Sequence, residues 1–119
     1  MTFDEYQARS RETAIYPGQG TVRGLEYVVL GLVGEVGEIS QKLKRLLRDG
    51  DGWLFTERDG HLMPEFKEKM ADEAMDACWY LSQLFTEVGV DFSTAAAVNL
   101  KKLASRKQRG VLGGSGDDR

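Results

Sequence analysis

Residues 24–48 read GLEYVVLGLVGEVGEISQKLKRLLR, and this stretch decides the fold class. Its apolar residues recur at alternating intervals of four and three positions, which is the spacing of one stripe along an α-helix. The pattern predicts a long amphipathic helix over residues 24–48 that packs against another helix. The members of the predicted stripe are Leu25, Val29, Leu32, Val36, Ile39, Leu43 and Leu46.

Capping and helix-breaking residues predict three further helices. Thr2 begins a capping box, Pro64 suits the first turn of a helix, and Gly89 ends that helix. Asp91 or Ser93 can cap the last helix with its side chain. The predicted ranges of these helices are residues 2–14, 64–88 and 92–107.

The segment between the second and third helices differs from its surroundings. Residues 53–63 begin with a strand-prone run and contain the tight-turn dipeptide Asp59-Gly60, which predicts a small β-hairpin. Residues 110–119 are rich in glycine and predict a C-terminal tail. We therefore expect an all-α fold, a bundle-like single domain of four helices over residues 1–109, with one hairpin.

Composition excludes several classes of function. The 119 residues include 16 basic and 19 acidic side chains, and the net charge of -3 disfavours binding to duplex nucleic acid. No apolar run is long enough to span a membrane and no secretion signal is recognisable, so a cytoplasmic protein is expected. Cys78 and His61 are the only residues of their types, which excludes an internal disulfide and a zinc site rich in histidine or cysteine.

Carboxylates concentrate on the second and third predicted helices. Glu35 and Glu38 lie three positions apart, as do Glu73 and Asp76, and residues at this spacing share a helix face. Glu73 also falls on the apolar stripe of its helix, where an ionised carboxylate needs a partner. A solvated acidic face is one interpretation. A site for a hard divalent ion, Mg²⁺ or alternatively Mn²⁺, is the interpretation that the spacing favours.

Two other patterns accompany the carboxylates. Gly31, Gly34 and Gly37 each weaken the second helix, which indicates either close helix packing or access for a ligand. Lys102 and Arg106 share a face of the last helix with Asn99. These cations either complement the helix dipole or bind phosphate.

The combined motifs resemble those of the MazG-like all-α nucleoside triphosphate pyrophosphatases. The pairs Glu35/Glu38 and Glu73/Asp76 are similar to the family's Glu-x-x-Glu and Glu-x-x-Asp motifs. Residues 99–106, NLKKLASR, resemble its Asn-x-x-Lys-Leu…Arg segment. The resemblance implies a helical fold that forms homodimers or homotetramers, with sites between helices.

The same resemblance implies an activity. It is the Mg²⁺-dependent hydrolysis of a ribo- or deoxyribonucleoside triphosphate to the monophosphate and pyrophosphate. For this reaction, we expect Glu35 or Glu38 to act as the catalytic base. The implied metal ligands are Glu35, Glu38, Glu73 and Asp76, and the implied substrate contacts are Asn99, Lys102 and Arg106. The alternatives are a phosphoribosyl-ATP pyrophosphohydrolase and a non-catalytic helical dimer that binds nucleotides or a partner protein.

Aromatic residues offer candidates for stacking on a nucleotide base. Trp53, Phe55, Trp79 and Tyr80 are the candidates. For Trp79 and Tyr80, packing in the core is the favoured interpretation. The segment over residues 53–63 makes the interval between the two carboxylate pairs longer than in many members of the family that the chain resembles.

Overall fold

The computed structural model describes residues 1–49 and 64–113, and all regular structure within these ranges is helical. The expected all-α class is confirmed for this part of the chain, and the helix ends agree with the predicted ones to within three residues. The predicted hairpin over residues 53–63 and the last six residues of the predicted tail lie outside the described ranges. The helices are α1 (Phe3–Arg11), α2 (Val22–Asp49), α3 (Pro64–Glu87) and α4 (Phe92–Gln108).

Local signals fix the start of α1 and the end of α3. The Glu5 backbone N–H donates to the Thr2 hydroxyl at 3.1 Å, and the Thr2 N–H donates to the Glu5 carboxylate at 2.6 Å, so the capping box is confirmed. Gly89 follows α3 with a φ of +69°, a left-handed conformation that glycine adopts without steric cost. The predicted helix stop is therefore confirmed as well.

The start of α4 is capped from another helix. Asp91 occupies the N-cap position, but its side chain makes no capping hydrogen bond, so the predicted side-chain cap from Asp91 is wrong. Instead, the Phe92 N–H donates to Gln7 Oε1 and the Ser93 N–H donates to Asp4 Oδ1, each at 2.8 Å. Both acceptors belong to α1. The first N–H groups of a helix have no acceptor within that helix, and at the start of α4 two of them donate to α1 instead.

The helices share a thin core. α2 packs along α3, and α1 packs against both α3 and α4. The Cα radius of gyration is 17.8 Å, whereas a compact chain of this length has a radius of about 13.5 Å. This extended shape leaves many large apolar side chains exposed. The apolar side chains that are buried within the described residues are Tyr16, Val28, Phe66 and Phe92.

The predicted apolar stripe of α2 divides between two environments. Val29, Val36 and Leu43 are 42%, 49% and 41% exposed, so the prediction that they are buried is wrong. The other members of the stripe are half-buried: Leu25, Leu32, Ile39 and Leu46. Spacing alone identifies an apolar face, but the packing of α3 decides which edge of that face is covered.

None of the four helices in the described residues combines the length and the hydropathy that a membrane crossing requires. The longest of them, α2, has 28 residues and carries charged side chains over most of its length.

A buried carboxylate joins α1 and the loop before α2 to α3. Glu87 accepts hydrogen bonds from Arg11 at 2.8 Å, from the Tyr16 hydroxyl at 2.5 Å and from the Gly20 N–H at 2.6 Å. Burial raises the pKa of Glu87, but these three hydrogen bonds outweigh burial and hold the pKa below 4.5. Burial and the hydrogen bond to Glu87 raise the pKa of Tyr16 to about 12.

We expect Glu87→Gln to lower the free energy of unfolding near neutral pH by about 2 kcal/mol, because hydrogen bonds to a charged group are lost. The folded pKa lies below the unfolded one, so the carboxylate stabilises the fold above its unfolded pKa. That contribution disappears as the pH falls through the folded pKa. Urea denaturation across the acid range should therefore show the difference between Glu87→Gln and wild type narrowing as the pH falls.

The control is Glu12→Gln, which removes the same charge from an exposed side chain of the adjoining segment. This variant should unfold like wild type at every pH. A Glu87→Gln defect of constant size across the acid range would contradict the assigned role of the charge.

Candidate functional site

Three of the predicted carboxylates converge between α2 and α3. Glu35 and Glu38 project from α2 and Glu73 projects from α3, and one carboxylate oxygen of each lies within 4.8 Å of the other two. The side chain of Glu73 is only 13% exposed, Glu35 is half-buried, and Glu38 faces solvent. The extensive packing of α2 on α3 produces this convergence. We call Glu35, Glu38 and Glu73 the carboxylate cluster.

Asp76 lies at the margin of the carboxylate cluster. It is exposed, and it is not one of the three residues whose oxygens converge. Its negative charge nevertheless affects Glu35. Burial raises the pKa of Glu35, and the charges of Glu38 and Asp76 raise this pKa further, whereas the charge of Lys42 lowers it. The structure thus brings three of the four predicted ligands together and keeps the fourth within electrostatic range.

Lys42 contacts the carboxylate cluster at Glu73. Its ammonium group donates to Glu73 Oε1 from the neighbouring helix, and its side chain is 40% exposed. The sequence prediction did not include Lys42. A signal was present, because Lys42 lies four positions after Glu38 and therefore shares its helix face.

The donor set of the carboxylate cluster suits a hard divalent ion. One oxygen from each of the three residues lies within 4.8 Å of the other two. Side-chain rotations could bring these oxygens to the distance of about 2.1 Å at which Mg²⁺ would be held. Three carboxylates are also the ligand type that such ions prefer over nitrogen or sulfur donors.

Gly31 explains how α2 and α3 approach each other beside the carboxylate cluster. A Cβ atom at Gly31 would fall inside the van der Waals surface of the Tyr80 ring. At Gly34 and Gly37, an added Cβ would meet no atom of the described residues within 4 Å. Close helix packing is therefore the correct interpretation of Gly31, and the other two glycines face open space in the described part of the chain.

The aromatic residues of α3 pack within the fold. The Trp79 indole N–H donates to Thr13 at 2.9 Å, and the ring packs edge-on against Tyr16 and Tyr80, with centroids 6.4 Å and 5.0 Å away. These contacts agree with the favoured interpretation of Trp79 and Tyr80 as packing residues. The other two stacking candidates, Trp53 and Phe55, lie outside the described residues.

The predicted substrate residues lie on α4, whereas α2 and α3 supply the carboxylate cluster. Asn99 and Lys102 are exposed on α4, whereas Arg106 is only 8% exposed. The main contacts of α4 are with α1, and the carboxylate cluster lies between α2 and α3.

A cleft that the sequence did not predict opens beside the carboxylate cluster. Its volume is about 260 Å³. Lys42 lies on its wall, so the cleft adjoins the ammonium group that contacts Glu73. Three cationic and three apolar side chains line it together with the acidic Asp49, and a lining of this composition suits an anionic ligand that carries an apolar group. The residues that line this basic cleft are Lys42, Arg45, Leu46, Asp49, Phe66, Lys69 and Met70.

The comparison with known proteins adds a relative of matching length. The Gene 37 protein of Mycobacterium phage L5 is 45% identical over 122 residues, and the match spans 100% of both chains. The chain belongs to the Gene 37 protein family. That family name describes no activity, substrate or partner. No family model matches the chain, and no solved structure matches it. The resemblance to the MazG-like enzymes therefore stays a prediction.

We expect Gly31→Ala and Gly34→Ala to change stability in opposite directions. Gly31→Ala forces Tyr80 to move and should lower the free energy of unfolding by about 1–3 kcal/mol. Gly34→Ala adds a methyl group in open space and improves helix propensity, which should raise stability by up to about 1 kcal/mol. Urea denaturation of the two variants measures both effects. A neutral Gly31→Ala would show that Tyr80 does not pack there.

Proposed function

We propose that the chain is a Mg²⁺-dependent nucleoside triphosphate pyrophosphohydrolase, with Mn²⁺ as an alternative ion. The observation that carries this proposal is the convergence of Glu35, Glu38 and Glu73 from two helices, with oxygens within 4.8 Å of one another. Their sequence spacing resembles the carboxylate motifs of the MazG-like enzymes. The basic cleft beside them offers a place for an anionic substrate.

The carboxylate cluster differs from an ordinary acidic surface because the side chain of one of its members, Glu73, is largely buried. Acidic side chains on a surface avoid one another by extending into water, and they need no cation. The side chain of Glu73 is 87% covered, and two other carboxylates lie beside it. Lys42 neutralises only part of this charge. A divalent ion would neutralise more of it, which supports a metal site at this position.

The proposed reaction divides the chemical work between the ion and the protein. When bound by Glu35, Glu38 and Glu73, with Asp76 nearby, a divalent ion neutralises the charge of the triphosphate and increases the acidity of water. Glu35 or Glu38 takes the proton of the water that attacks the α-phosphorus. The new bond joins that water oxygen to phosphorus as the bond to the β-phosphate oxygen breaks, and pyrophosphate leaves.

Glu35 and Glu38 are both candidates for the base, because both belong to the carboxylate cluster and could reach a water molecule there. They differ in exposure, since Glu35 is half-buried and Glu38 faces solvent. The cations that would face the leaving pyrophosphate are those of the basic cleft or of the exposed face of α4.

We expect purified protein with Mg²⁺ to release pyrophosphate from at least one member of a panel of ribo- and deoxyribonucleoside triphosphates. Glu73→Gln should lower kcat/KM at least about a hundredfold, because the variant loses a charge that holds the ion. Asp72→Asn is the matched control: it removes one negative charge from the adjacent position, which is exposed. This control should retain most of the activity.

The outcomes of this assay separate the candidate functions. Release of pyrophosphate from phosphoribosyl-ATP alone would identify the related pyrophosphohydrolase. Release from no substrate, with nucleotide binding retained, would identify a non-catalytic binding module. Equal losses in Glu73→Gln and Asp72→Asn would contradict the specific role of the carboxylate cluster.

We further propose that the chain works as a homodimer or homotetramer. The face of α2 turned away from α3 carries apolar side chains at coiled-coil spacing, interrupted by Ser40. These side chains are 41–84% exposed within the described residues. A second copy that covered them would also add apolar packing to the small core of each chain. The apolar positions are Val29, Val33, Val36, Leu43 and Leu47.

We expect wild-type protein to elute as an oligomer and Val33→Lys to shift it toward the monomer, because a charge in an apolar seam is costly to bury. Light scattering after size-exclusion chromatography gives both masses. Gln41→Lys adds the same charge at an exposed position on another side of α2 and serves as the control. A monomeric wild type would rule out the proposed assembly.

A further inference from the structure

We propose that Lys42 is a tethered counter-ion of the carboxylate cluster, which the divalent ion must displace before it can bind all three glutamates. This inference rests on the proposed function only in so far as the carboxylate cluster is a metal site. It assigns a role to a residue outside the predicted ligands. It also implies that the metal-free protein holds the three carboxylates together with a positive charge of its own.

The first support is the position of the Lys42 ammonium group. It reaches from α2 across to Glu73 Oε1 on α3, and Glu73 is one of the three residues whose oxygens converge. An oxygen that accepts a hydrogen bond from an ammonium group has less capacity left to ligate a cation. The Lys42 ammonium group and a divalent ion at the same carboxylate would also repel each other, because both carry positive charge. Lys42 and a divalent ion therefore compete for the same carboxylate.

The second support is the open space beside the Lys42 side chain, into which its ammonium group can move away from Glu73. Its side chain is 40% exposed, and it lines the basic cleft together with Arg45 and Lys69. It also lines a neighbouring cleft of about 280 Å³ with Glu38, Gln41 and Arg45. A flexible four-carbon stem lets the ammonium group turn from Glu73 into either cleft without any movement of the backbone.

The third support is the charge balance of the metal-free state. Three carboxylates lie together, and the side chain of one of them, Glu73, is only 13% exposed. On α3 itself, the sequence has no basic residue between Met70 and the end of the helix. Lys69 lies one turn before Glu73 on α3, but the ammonium group that contacts Glu73 is that of Lys42 on α2. This contact links the two helices that also supply the proposed metal ligands.

The test compares Mn²⁺ binding to nucleotide-free wild type, Lys42→Met, Lys42→Arg and Lys44→Met, with free Mn²⁺ measured by electron paramagnetic resonance. Lys42→Met should bind Mn²⁺ about tenfold more tightly, because the competing charge is gone. Lys42→Arg keeps the charge and should stay close to wild type. Lys44 is exposed and two positions away, on the opposite side of α2, so Lys44→Met is the matched control.

A second measurement separates a displaced counter-ion from an ordinary structural ion pair. In metal-free buffer, Lys42→Met should melt below wild type, because the carboxylates lose their cation. Saturating Mn²⁺ should close this gap in Tm, because the ion then neutralises the carboxylates in both proteins. A structural ion pair between α2 and α3 would leave the gap unchanged by Mn²⁺, and that result would overturn the inference.

The remaining outcomes distinguish this inference from the proposed function. If wild type binds Mn²⁺, Glu73→Gln does not, and Lys42→Met binds it no more tightly than wild type, only the role of Lys42 is wrong. If wild type binds no Mn²⁺, the metal site and the inference both fail. Tighter binding by Lys42→Met, in a protein that releases pyrophosphate from no nucleotide, would support the inference and overturn the proposed enzyme activity.

Discussion

Two carboxylates on α3 must be neutralised inside the protein, and this requirement ties the neighbouring helices to α3. The side chains of Glu73 and Glu87 are 13% and 0% exposed, and they lie about 21 Å apart along the helix. Glu73 is paired with Lys42 of α2, and Glu87 is paired with Arg11 of α1. A buried carboxylate without a cation destabilises a fold by several kcal/mol, so each pair favours one docking position for its helix.

The two carboxylates differ in what surrounds them. Glu87 accepts hydrogen bonds from Arg11, Tyr16 and Gly20, which satisfy its oxygens and hold its pKa low. Glu73 accepts from Lys42 and lies beside two further carboxylates, so negative charge exceeds positive charge around it. Glu87 is therefore a structural residue. The excess of negative charge around Glu73 is the reason why the proposed chemistry is placed there.

Much of the fold follows from local rules that act within one or two helical turns. Residues three or four positions apart share a helix face, so the spacing of apolar residues along α2 and the pairing of Glu35 with Glu38 could be inferred directly. The capping box at Thr2 and the helix stop at Gly89 are likewise local, and both agree with the structure. Membership of the Gene 37 protein family adds no activity to these inferences.

Amino-acid patterns alone predict four helices in the described residues, their ends to within three residues, and two helix faces that carry carboxylates. The contact of Lys42 with Glu73, the packing of Tyr80 on Gly31 and the capping of α4 by α1 arise only when the helices pack together. These contacts join residues that are far apart along the chain. Helix formation depends on neighbours within a turn, whereas a counter-ion or a packed ring depends on the rotation of one helix against another, and no local pattern specifies that rotation.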